Sequence, residues 1–106
     1  MNPIKLRLQL LFAPHVLDRK YRLLKEQHIQ TLNCLNLIKA NCDHDVDQEI
    51  YRSLQDGHAC LNEIDEIIDA IGSRNFRYLI HQIGKTEENT KKFFKNYRRI
   101  QILTQE

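Results

Sequence analysis

The run Arg74-Asn75-Phe76-Arg77-Tyr78-Leu79-Ile80-His81 holds the residues best suited to chemistry. Arg74 and Arg77 precede His81 by seven and four positions, so on a helix all three project from the polar face opposite Phe76, Ile80 and Ile83. A guanidinium beside an imidazole can hold a phosphodiester and move protons during metal-independent RNA cleavage. Other reactive residues fall short of a site. Asp43, Asp45 and Asp47 open like a calcium-binding EF-hand loop, but Gln48 stands where the loop needs Gly and Leu54 where it needs Glu. Cys42-x-His44 and His58-x-Cys60 are zinc-type ligand pairs, yet His58 and Cys60 lie about 200° apart on a helix and cannot converge. Ser53 and Ser73 lack a Gly-x-Ser-x-Gly turn, and the cysteines have apolar or acidic neighbours that do not favour a thiolate. No metal and no cofactor is therefore expected.

Over about ten residues this segment resembles the Arg-Asn and downstream His motif of the HEPN ribonuclease superfamily. The resemblance implies an all-α bundle and a toxin-type ribonuclease, with Arg74 and His81 as the catalytic pair and Asn75 as a supporting polar residue. The residues between Arg74 and His81 outnumber those in common versions of the motif.

A binding signal lies further along. At about 100° per residue, Lys91, Lys95 and Arg98 share one helical face. Lys92 and Arg99 flank it, while Phe93, Phe94, Tyr97 and Ile100 take the opposite side. Such a ridge can attract phosphates without reading bases, and it can equally take an acidic protein surface. Arg74 and Arg77 extend the patch if their helix packs nearby. The principal expectation is a non-enzymatic binding or regulatory module whose partner is nucleic acid or an acidic protein. The ribonuclease of Arg74 and His81 is one alternative. An adaptor, chaperone or inhibitor acting through an acidic helix at 44–71 is another.

Charge is sorted along the chain, which carries a net +2. Residues 1–40 hold seven basic and two acidic residues, residues 41–72 one basic and nine acidic, and residues 73–106 eight basic and three acidic. The middle helix then acts first as an internal counterpart to its basic neighbours, and the ridge near the C-terminus remains available.

The elements that must position these groups are helical. Three Gly, two Pro and no Trp in 106 residues leave little turn chemistry for many strands. Asn2-Pro3 reads as a cap and first turn, although Ile4, Leu6, Leu8 and Leu10 alternate at the strand period. A short helix is expected there. Pro14 opens a long helix with a stripe at Leu17, Tyr21, Leu24, His28, Thr31, Leu35, Ile38 and Cys42, widened by Ile29 and Leu32. A third stripe runs through Val46, Ile50, Leu54, Gly57, Leu61, Ile64, Ile68 and Ile71, with Gly57 marking a close approach. Gly72 and Ser73 are expected to end that helix and cap a fourth, Gly84 to stop the fourth, and Thr86 to cap a fifth. The fold class that follows is all-α, a compact antiparallel bundle of four to five helices spanning 1–106 as one domain.

No apolar run is long enough to span a bilayer, and Lys5 and Arg7 interrupt the place of a signal-peptide core. An odd three cysteines without CxxC spacing fit reduced thiols. A cytoplasmic protein with no membrane partner is expected, with homodimerisation through leftover apolar surface.

Overall fold

The computed structural model describes residues 3–41 and 44–104. Asn2, Cys42 and Asp43 lie outside the described residues, as do the side chains of Leu6, Leu10, His44, Asp45, Val46 and Phe76. Among the described residues the fold is all-α with four helices: α1 (Pro3–Phe12), α2 (Pro14–Ala40), α3 (His44–Ser73) and α4 (Phe76–Thr104). The molecule is elongated, with extents of 50 × 19 × 17 Å.

Residues 3–12 are helical in spite of the strand-like alternation. A single strand would leave its backbone groups unpaired, whereas a helix satisfies them locally. The chain breaks at Ala13 (φ −146°, ψ 57°), because a residue before proline is pushed away from helical dihedrals. Pro14 then starts α2, where its fixed φ suits the first turn.

Helix α3 is the central element. Both α2 and α4 pack along it, and they touch each other at only a few points. Its neighbours run opposite to it, since Lys25 meets Asp65 while Leu32 meets Gly57, and Glu49 meets Arg99 while Glu63 meets Asn89. Two-sided packing explains why α3 buries Cys60 and Ile67 as well as Ile64 and Ile71, a wider stripe than the sequence suggested. On α2 the reverse holds, since Leu32 is buried but Ile29 is exposed.

The expected fourth and fifth helices are one helix. Gly84 does not stop α4, because a glycine inside a helix costs only about 1 kcal/mol and the apolar period continues through it. Leu79, Ile83, Thr86, Thr90, Phe93 and Ile100 are all buried along that line. Thr86 is thus a core residue instead of a cap. The end of α3 is corrected too, with the left-handed residue falling on Arg74 (φ 58°). The Arg74 N–H donates to Ile71 O at 3.2 Å and the Asn75 N–H to Ala70 O at 3.0 Å, the two bonds of a Schellman closure. Asn75, and not Ser73, caps α4: its Oδ1 accepts from the Tyr78 N–H at 3.4 Å and its carbonyl accepts from the Leu79 N–H.

Among the described residues the core forms two apolar clusters. One joins Leu17, Tyr21, Ile64, Ile67, Ile71, Leu79 and Ile83, the other Leu32, Leu35, Ile50, Leu54, Phe93 and Ile100. His28, Thr86 and Thr90 are buried polar residues in the same interior. Among the described residues no helix is long and apolar enough to cross a membrane.

Candidate functional site

The continuity of α4 places both sequence candidates, the Arg/His segment and the basic ridge, on one helix. Its buried line from Leu79 to Ile100 faces the bundle, so the opposite side is solvent-facing over the whole length. Arg77, His81, Lys91, Lys95 and Arg98 are exposed there. Arg77 and Arg98 lie about 32 Å apart along the axis at 1.5 Å per residue.

The ridge divides according to its neighbours. Arg99 forms an ion pair with Glu49 of α3, so its charge is already opposed. Lys92 borders a groove that Asp56 and Glu63 also line, on the α3 side. Lys91, Lys95 and Arg98 point away from α3, and with Lys92, Arg74 and Arg77 they form no ion pair among the described residues.

The acids of α3 explain why these cations are left over. Asp65 pairs with Lys25 at 2.7 Å, Glu63 accepts from the Asn89 amide at 3.2 Å, and Glu66 accepts from the Tyr78 hydroxyl at 2.6 Å. That bond holds the Tyr78 phenol up at about 12. With Glu49 on Arg99, four α3 carboxylates are engaged by neighbouring helices. Lys20 of α2 approaches Glu87 of α4 at 3.9 Å.

The proposed catalytic register is not formed. Arg74 sits in the turn between α3 and α4 and not seven residues up the helix that carries His81. Asn75 is occupied as the α4 cap. Arg77 and His81 keep their four-residue spacing on an open surface. Among the described residues no group of three or more His, Cys, Asp or Glu side chains is placed to hold a metal ion. On α3, His58 is exposed while Cys60 is buried, and burial, helped by Glu63 and Asp56, raises the Cys60 thiol to about 11.

One feature of α1 escaped the sequence reading. Arg7 and Leu11 of α1 line a cavity of about 400 Å³ together with Arg77 and Ile80 of α4. Its signal was a helical spacing at Ile4, Leu8, Leu11 and Phe12, hidden under the period-two alternation.

No family model, curated protein or solved structure matches the chain. The HEPN resemblance therefore rests on the Arg74–His81 segment alone, in which Arg74 lies in the α3/α4 turn and His81 on α4.

Proposed function

We propose that this chain is a non-enzymatic binding or regulatory module that holds a polyanionic partner, nucleic acid or an acidic protein surface, on the outer face of α4. The supporting observation is the cluster of Lys91, Lys95 and Arg98 on the outer face of α4, in which no side chain has an ion-pair partner among the described residues; Arg77 lies on the same face beyond the exposed Glu88. A cluster of cations lowers the potential energy of an anionic strand laid over it, and displaced counterions add to the affinity. Such contacts fix orientation and carry no base readout. The acidic helix is the weaker surface, because Glu49, Glu63, Asp65 and Glu66 already contact α2 or α4. A cytoplasmic setting suits the unpaired thiols of Cys34 and Cys60.

The test is titration of the purified chain into fluorescent duplex DNA, single-stranded RNA and an acidic peptide at several salt concentrations. Binding that weakens steeply with salt, with a mixed RNA pool left uncut, is the expected result. Absent or salt-insensitive binding to all three rejects the reading.

A further inference from the structure

The first 17 residues contain no Asp or Glu, and α1 sits at the end of the rod where α4 begins, in contact with both α2 and α4. It nevertheless leaves large apolar side chains in solvent: Leu8 is 51% exposed, Leu11 63% and Phe12 81%, with Val16 of α2 at 50% just beyond the Pro14 break. Leu8, Leu11 and Phe12 fall on an arc of about 100° of the helix circumference. Arg7 stands at one margin of that arc and Lys5 at the other, both exposed. Scattered exposed leucines are ordinary on protein surfaces, but three on one face of a ten-residue helix are not.

We propose that α1 is a surface anchor for an anionic phospholipid bilayer. Leu8, Leu11 and Phe12 enter the boundary between headgroups and acyl chains. Lys5 and Arg7 keep their charges at headgroup level, and Arg77 adds a second guanidinium beside Arg7 at the α1/α4 cavity. Two arguments select this occupant. The charge at the margins is positive throughout, which complements anionic lipid. A second copy docked on the same face would bring Lys5 and Arg7 against their own counterparts. Lack of a membrane-spanning helix leaves surface attachment of this kind open. The inference shares Arg77 with the α4 reading but is tested apart from it, because the apolar residues it uses lie on α1.

The experiment is co-sedimentation of the full chain with vesicles of phosphatidylcholine alone and of phosphatidylcholine with about one-third phosphatidylserine. Wild type is expected on the mixed vesicles only. Leu8→Ser with Phe12→Ser should lower that binding about tenfold while leaving helical content and nucleic-acid binding unchanged. Lys91→Glu, Lys95→Glu and Arg98→Glu together should cut nucleic-acid binding, which tests the α4 reading alone. If the serine variant binds mixed vesicles as well as wild type, charge alone is responsible and the anchor is refuted. A wild type that ignores both vesicles but sediments as a dimer, with the serine variant monomeric, refutes it in favour of a second copy.

Discussion

The imidazole of His28 stacks on the ring of Phe93, with centroids 5.1 Å apart and planes 18° apart, and Phe94 meets it edge-on at 4.9 Å. Nδ1 lies 2.9 Å from the Leu24 carbonyl and so carries the proton, while Nε2 is buried with no hydrogen-bond partner among the described residues. This fixes a neutral ring where α2 meets α4. A sequence stripe marks His28 as core, but the two aromatic faces around it depend on how α2 and α4 converge over α3.

Burial lowers the His28 pKa from its ordinary 6.5, with the Leu24 carbonyl opposing more weakly. The unfolded chain therefore takes up a proton that the native state resists, and His28 removes stability as pH falls below 6.5. Urea midpoints measured from pH 7 downward should decline more steeply for wild type than for His28→Leu. Parallel declines would show that the ring is not held neutral.

The two helix-interior glycines should respond in opposite ways to alanine. A Cβ on Gly57 would lie 2.6 Å from Leu32 Cδ2 and 2.7 Å from Phe93 Cε2, and Phe93 cannot retreat from the His28 stack. Gly57→Ala is expected to destabilise by about 1–3 kcal/mol despite its better helix propensity. Nothing lies within 4 Å of the corresponding atom at Gly84, so Gly84→Ala should stabilise by about 0.5–1 kcal/mol. Thermal unfolding of both variants decides the matter, and loss of stability in Gly84→Ala would mean that α4 is interrupted after all.

Much of this was legible and some was not, for identifiable reasons. Periodicity located α2 and α3, and Gly57 was legible as a contact because it interrupts an otherwise bulky stripe. Gly84, Thr86 and two glutamates imitate a helix stop and start, although α4 runs through them. The continuous line through Leu79, Ile83, Thr86, Thr90 and Phe93 outweighs that local signal once α3 supplies a surface for it. Arg74 in a left-handed conformation is not visible from sequence, since glycine two residues earlier is the better candidate. The ridge cations were legible as a helical face. Which of them remain unpaired was not, because that depends on Glu49 reaching Arg99 from another helix.

Cysteine reactivity should separate along the same lines as burial. Cys60 is buried and held at about 11, so it has almost no thiolate near neutrality, whereas Cys34 is exposed. Under native conditions iodoacetamide should alkylate Cys34 while Cys60 reacts only on unfolding. Equal labelling of the two in the folded protein, read by peptide mass, would contradict the packing of α3 against α4.

The salt dependence of nucleic-acid binding tests the α4 face most directly. With Lys91, Lys95 and Arg98 each opposing a phosphate, the logarithm of affinity for duplex DNA should fall against the logarithm of salt with a slope of about −3 or steeper. Reversing all three to Glu should flatten the slope by about 3 and weaken binding about uniformly across sequences. An acidic peptide as ligand should show the same loss. If the reversed variant binds DNA and peptide as wild type does, with the same slope, the outer face of α4 is not the docking surface.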